Sequence, residues 1–190
     1  MNCLAVDTTN SKLTVVLLRG GDTFYREIEV GKSGHSRLLM PTVDEVLKEG
    51  GVKVGELDAL AAVVGPGSFT GIRIGVSAMT ALAFATGAKR ISVTSFELIA
   101  YNRQSVLAVV DAGHSNAYCA ECKDGKVLSA SFVEAGNIES LNGGVSKPVC
   151  EAHIALAGVV KNKLNSGEYC DVLMPFYMRK SQAEREKDEV

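Results

Sequence analysis

This 190-residue chain has no tryptophan, and aromatic residues make up only 6% of it. Little is therefore available for stacking nucleobases, a usual means of gripping single-stranded nucleic acid. No dense run of basic charge is present, and the formal net charge is −2. Tight nucleic-acid binding by this chain alone is excluded, because that affinity comes mainly from Lys and Arg neutralising phosphates. Histidine is scarce: His35, His114 and His153 lie far apart along the chain, and one imidazole makes no closed metal site. The five cysteines are an odd number without disulfide-framework spacing. Cys119 and Cys122 form a C-x-x-C, but within NAYCAECKDGKVLSASF, which reads as a β-hairpin turning at Asp124-Gly125. Residues three apart on a strand face opposite ways, so the two thiols diverge. No basic segment precedes the first apolar run, which ends at Asp7, so no signal peptide is read. No apolar stretch reads as long and uniform enough to cross a bilayer. A cytoplasmic location without membrane contact is the expectation.

What is present is an ordinary globular composition, 46% hydrophobic and 22% charged. That suffices for one core or two small lobes. The first half opens with a strand at Cys3–Val6. A hairpin follows, KLTVVLL and TFYREIEV around Arg19-Gly20-Gly21-Asp22. HSRLLMPTVDEVLKEGG reads as a helix closed by Gly50-Gly51, with Pro41 within or near its first turns. ALAAVVG is a buried strand. ISVTSFELIAYN supplies a short strand and a helix capped by Thr94 or Ser95. SVLAVVDAGHSNAYCAEC then echoes NCLAVDTTNSKLTVVLL: an apolar strand ending in Asp, a small polar turn, a second strand. Asp7 and Asp111 fall at matching points. Two duplicated lobes are expected, an N-terminal lobe over 1–102 and a C-terminal lobe over 103–190, with a ligand crevice between them. CEAHIALAGVVKNKL reads as a helix, and the charged C-terminal tail as frayed.

The stretch VVGPGSFTGIRIGVSAMTALAFATGA, from Val63 to Ala88, is a strand, a glycine turn and a helix. Such a turn often cradles phosphate. The lysine of a P-loop is missing, since Ile72 and Arg73 follow Gly71, and Thr70 stands where the third glycine of a dinucleotide motif belongs.

Asp-ended first strands in two lobes describe the actin/hexokinase/Hsp70-like ATPase superfamily (ASKHA, ribonuclease H-like). Within it, GPGSFTGIRIG, HSRLLMP, LAVDTTN, VVDAGHSNAY and MPFYMRKSQAE together closely resemble the TsaB (YeaZ) family. The chain is short for that family, with the deficit falling between about Val133 and Cys170. The resemblance implies a non-catalytic protein needed to make threonylcarbamoyladenosine beside the anticodon of tRNA. It implies pairing with a catalytic paralogue, TsaD, and with an ATPase, TsaE, self-association as a homodimer through the same helices, and contact with tRNA only indirectly. In the catalytic paralogue two histidines on the helix equivalent to His35–Gly50 bind metal; here His35 stands alone, which reads as a capping or surface histidine.

Asp7, Thr8, Thr9 and Asp111 sit where superfamily ATPases place phosphate loops. Asp can hold Mg²⁺ through water, and Thr can bond phosphate, yet the same residues simply make turns. A degenerate nucleotide cleft is expected, with no cofactor beyond weak or vestigial ATP/ADP binding. The alternative is a small Mg-ATP-dependent ATPase or phosphotransferase. A triad of Ser68, His35 and Asp7 lacks the nucleophile elbow.

No charge occurs from Ile74 to Ala88. Gly71, Gly75, Ala78, Leu82 and Ala85 form a small stripe, read as facing the sheet. Ile72, Val76, Met79 and Ala83 form a bulkier one that needs a second cover. Leu38, Leu39 and Val43 of the preceding helix join it. These seven residues are the expected partner interface, completed by two helices of another molecule into a four-helix bundle.

Overall fold

A computed structural model describes residues 1–30, 34–137 and 143–178. The first sheet contains β1 (Asn2–Asp7), β2 (Lys12–Arg19), β3 (Asp22–Glu29), β4 (Ala59–Gly65) and β5 (Lys89–Thr94) in the order β3-β2-β1-β4-β5. β1, β2 and β3 run antiparallel, while β4 pairs parallel with both β1 and β5. This is the sheet of the ribonuclease H-like, actin-like ATPase fold, as the sequence leads one to expect. β1, β2 and β4 are buried almost throughout, which is why they read as near-continuous apolar runs.

Strand alternation divides their side chains between two faces. Leu4, Val6, Val15, Leu17, Leu60 and Ala62 face α1 (His35–Gly50) and α2 (Phe69–Thr86), which cover one side. Cys3, Ala5, Val16, Ala61, Ile91 and Val93 face the other side. There the cover is α4 (Ala152–Ser166), through Ala155, Leu156, Val159 and Val160.

The second sheet is β6 (Ser105–Gly113), β7 (Asn116–Lys123) and β8 (Lys126–Val133), all antiparallel. It repeats β1-β2-β3. Val145 then pairs parallel with Ala108 of β6, the relation that β4 has to β1, but as a single bridge. The cover of this sheet is α3 (Ser95–Ala100), whose Phe96, Ile99 and Ala100 meet Ala108, Ala120 and Cys122. Each half thus sends its last helix to the other half's sheet. Lys163 of α4 and Glu97 of α3, 2.6 Å apart and largely buried, tie the two exchanged helices together. Gly158 in mid-α4 makes room for Tyr101: a Cβ there would lie 2.1 Å from the ring.

Local signals account for the element ends. Gly51, at φ +62°, closes α1 with its N–H on the carbonyls of Leu47 and Lys48. Thr94 caps α3, and Glu97 returns a carboxylate to the Thr94 N–H, a capping box. Asp124 and Gly125 both have positive φ, the two-residue turn favoured between twisted strands. Pro41 lies in the second turn of α1, which starts at His35. Cys119 and Cys122 do point apart: Cys122 joins the cluster under α3, while the Cys119 thiol lies 3.1 Å from the Ser131 hydroxyl.

Past α4 the chain returns to the first sheet. Cys170 bridges Arg90, Leu173 enters the α1–α2 core, the Phe176 N–H donates to the Val64 carbonyl, and Met178 reaches the second-sheet cluster. Residues 171–178 form a strap across both halves.

Candidate functional site

The glycine turn is built for contact with its own chain. Gly65 has φ +115°, a region that L side chains rarely adopt. The Ser68 N–H donates to the Thr9 carbonyl at 2.7 Å, and the Ser68 hydroxyl caps α2 by accepting the Gly71 N–H at 3.2 Å. A Cβ on Gly67 would lie 2.5 Å from the Thr9 carbonyl oxygen, one on Gly71 1.9 Å from that of Thr8, and one on Gly75 2.5 Å from the Thr8 hydroxyl. The glycines therefore seat the start of α2 against the turn after β1. Thr8 is buried there, its hydroxyl donating to the Gly71 carbonyl at 2.6 Å.

Between the halves lies a cleft of about 640 Å³, lined by Asp7, Thr9, Asn10, Ser95, Asp111 and Lys147 among others. Asp7, Thr9 and Asp111 are thus brought together, while Thr8 is not among the lining residues. Both aspartates fold the turn after them, accepting the N–H two residues on: Thr9 at 2.8 Å for Asp7, Gly113 at 2.7 Å for Asp111. Asp7 also accepts from the Thr9 hydroxyl and from Asn10. Burial pushes its carboxyl above the ordinary range; the Thr9 N–H and hydroxyl, nearby His35 and Asn10 pull the other way without prevailing.

Several groups that could meet a nucleoside triphosphate are already bonded within the chain: the Asp7 carboxylate to Thr9, the Thr8 hydroxyl to Gly71 and the Thr9 carbonyl to Ser68; Lys147 is the one cation among the lining residues. Its position between the halves gave no sequence signal. His35 is neither a cap nor a surface residue: it is buried, and its Nε2 has no partner. Gly34 occupies the N-cap without a side-chain bond. Ser68 is spent on its cap and makes no hydrogen bond to His35. Among the described residues no three His, Cys, Asp or Glu side chains converge as metal ligands.

The interface set needs correction. Leu39, Val43, Ile72, Val76, Met79 and Ala83 are all buried within the chain, and Leu38 is half-buried against the same core. Both stripes contribute to one inward arc, because Gly71 and Gly75 approach β1 while the bulky stripe fills the space between β4 and α1. What faces out is a third line, Thr70, Arg73, Ser77, Ala81 and Phe84, with spacings of three and four that keep it on one side. Phe84 is 87% exposed. Length and composition would even let α2 span a bilayer, contrary to the reading above, but a third of it is buried against the sheet and α1.

A family model described as "TsaD: tRNA N6-adenosine threonylcarbamoyltransferase" matches residues 29–137, more than half of the chain. The chain is 28% identical over 162 residues to the tRNA threonylcarbamoyladenosine biosynthesis protein TsaB of Haemophilus influenzae, and 32% identical over 127 residues to TsaB of Escherichia coli. Those matches cover 82% and 64% of this chain and 66% and 54% of the relatives. The chain thus spans between half and two thirds of the length of these curated relatives. The solved structure described as YeaZ from Pseudomonas aeruginosa superposes with a TM-score of 0.72 at 25% identity, covering 93% of this chain and 99% of the other.

Proposed function

We propose that this chain, which belongs to the TsaB (YeaZ) family, is an organising subunit of tRNA threonylcarbamoyladenosine biosynthesis that makes and breaks no bonds itself. It docks on a catalytic subunit of the TsaD type, and with it on an ATPase of the TsaE type. Docking holds the catalytic subunit in its productive shape, and tRNA is met through that subunit. Without the partner, two copies of the chain associate through the same surface, and no nucleotide of its own is needed.

One observation carries this reading: the outer line of α2 is uncharged from Ile74 onward and ends in an almost fully exposed Phe84. An exposed aromatic on an apolar helix face is what an interface needs and a solvated surface does not. Ser77 and Ala81 let a partner helix come close, and Met40 of α1 is exposed as well.

The test is light scattering and co-purification with the TsaD-type subunit of the same organism, followed by tRNA modification with and without this chain. Phe84→Glu is expected to weaken association about tenfold or more while leaving the melting temperature in place. Unchanged association in that variant, or full modification without the chain, overturns the proposal.

A second reading, a Mg-ATP-dependent ATPase or phosphotransferase, has one observation in its favour: Asp7 and Asp111 line one cleft. Calorimetry of the chain with ATP and Mg²⁺ separates the two. Micromolar binding abolished by Asp111→Ala would favour the enzyme; no heat of binding favours the organiser.

A further inference from the structure

Arg73 is the one charge on the outer line of α2, and the structure holds it ready. Its guanidinium carbon lies 3.9 Å from the centre of the Phe69 ring. Its Nε donates to the Tyr177 hydroxyl at 2.9 Å. Tyr177, on the strap, packs tilted against Phe69 with ring centres 5.0 Å apart. An arginine on a helix surface ordinarily sweeps a wide volume; here two aromatic rings and a hydrogen bond fix the plane of its fork. Its terminal nitrogens make no hydrogen bond, and no carboxylate lies within salt-bridge distance, among the described residues. They border a shallow groove of about 410 Å³ with Thr70, Ile74 and Ser77. A fixed, exposed and unpaired guanidinium fork is complementary to a carboxylate, which it takes by two parallel N–H bonds.

We propose that Arg73 receives an Asp or Glu side chain from a helix of the heteromeric partner, and that this pair sets the register of docking. The inference rests on the docking reading above. Arg73 and Phe84 are eleven residues apart, three helical turns, or about 16 Å along the same face. Between them the line is small and uncharged, so nothing in it prevents a partner helix from sliding by a turn. One charge at one end and one large ring at the other remove that freedom. The partner helix therefore carries its carboxylate about 16 Å from the apolar pocket that takes Phe84.

The α1–α2 face of a second copy offers Arg73 no free carboxylate. The carboxylates of α1, the neighbouring helix, are already paired: Asp44 with Lys48 at 2.6 Å, Glu45 with Arg26 at 3.8 Å and Glu49 with Arg26 at 2.7 Å. The outer line of α2 itself has none. Arg73 thus distinguishes the heteromeric partner from self-association on the shared face.

The experiment is calorimetry of the full-length chain with the TsaD-type subunit at low and high salt, with self-association followed by light scattering in parallel. Arg73→Ala is expected to weaken the heteromeric complex about tenfold or more and to flatten its salt dependence, leaving self-association unchanged and lowering the melting temperature by only a few degrees through the lost Phe69 and Tyr177 contacts. Arg73→Lys recovers only part of the loss, because an ammonium lacks the fork. Arg73→Glu abolishes binding, and an acidic-to-Lys change on the partner's docking helix restores it. Wild-type affinity and salt dependence in Arg73→Ala overturn the inference while leaving the docking reading intact. Equal weakening of self-association identifies the occupant as a second copy and overturns it too. Failure of the wild-type chain to bind at all removes the docking reading, and this inference with it.

Discussion

Thr8 and Gly71 are locked to each other from both sides. The Thr8 hydroxyl donates to the Gly71 carbonyl at 2.6 Å, and the Thr8 carbonyl fills the space where a Gly71 side chain would stand. The glycine motif serves this junction of β1 and α2, and so the whole of α2 is aimed by the loop after β1. Gly71→Ala forces a methyl group into backbone that cannot give. The expected cost is about 2–3 kcal/mol, read as a lower urea midpoint with an unchanged slope. Thr8→Val, which keeps the shape and removes the hydroxyl, should cost less, about 1 kcal/mol.

Buried and exposed positions of α2 should respond oppositely. Met79 has no exposed surface, and Ile72 is 2% exposed. Met79→Ala is expected to cost about 2–5 kcal/mol in stability, and Ile72→Glu to prevent folding under ordinary conditions, because an unpaired charge would enter the core. Phe84→Glu should melt within a degree or two of the parent. Thermal melts by circular dichroism separate these outcomes.

Acid should loosen the seat of α4. Glu27 on β3 accepts from the His153 N–H at 2.7 Å, from its ring Nδ1 at 3.0 Å and from Lys12 at 3.0 Å. Burial alone would raise the Glu27 carboxyl, but the Lys12 and His153 bonds prevail and hold it below the ordinary range. The unfolded chain then takes up this proton first as pH falls. The stabilisation is complete above the usual glutamate value of about 4.3 and is lost as pH drops through the depressed one. The melting temperatures of the parent and of Glu27→Gln should therefore differ at pH 7 and converge toward pH 3. A constant gap across that range would show that Glu27 contributes no pH dependence.

Glu97 has two tasks. One oxygen returns to the Thr94 N–H and hydroxyl, and the other accepts from Lys163. Glu97→Ala removes the returning half of the α3 capping box and leaves the largely buried Lys163 ammonium only the more exposed Glu168 at 3.6 Å, at an expected cost of about 2 kcal/mol. Lys163→Met should cost less, because the cap survives. A double-mutant cycle over the two residues measures the coupling between the exchanged helices.

Much of this was legible in the residues. Apolar runs marked β1, β2 and β4 because both faces of their sheet are covered. Asp124-Gly125 marked its turn, since few other residues accept that backbone. The reading of α2 failed for a geometric reason. A stripe drawn at alternating steps of three and four follows a 3.5-residue period, while the helix turns every 3.6. It drifts by about 20° per heptad, which carries the line from buried Gly71 out to exposed Ala85. With every candidate face apolar, composition could not say which one met the sheet; the contacts of Gly71 and Gly75 with Thr8 decide it. The docking of α4 on the first sheet was illegible for a related reason. Its Ala, Leu, Gly and Val surface suits either sheet, and the fit of Gly158 to Tyr101 exists only once the halves are assembled.

The crossed helices make the two halves hostage to each other. Opening the crevice like a jaw would strip α3 from one core and α4 from the other in the same motion, so breathing is confined to the rims. The arrangement is that of a pair of clasped wrists rather than a hinged shell. A backbone cut after Asn102 should accordingly yield fragments that regain structure only when mixed.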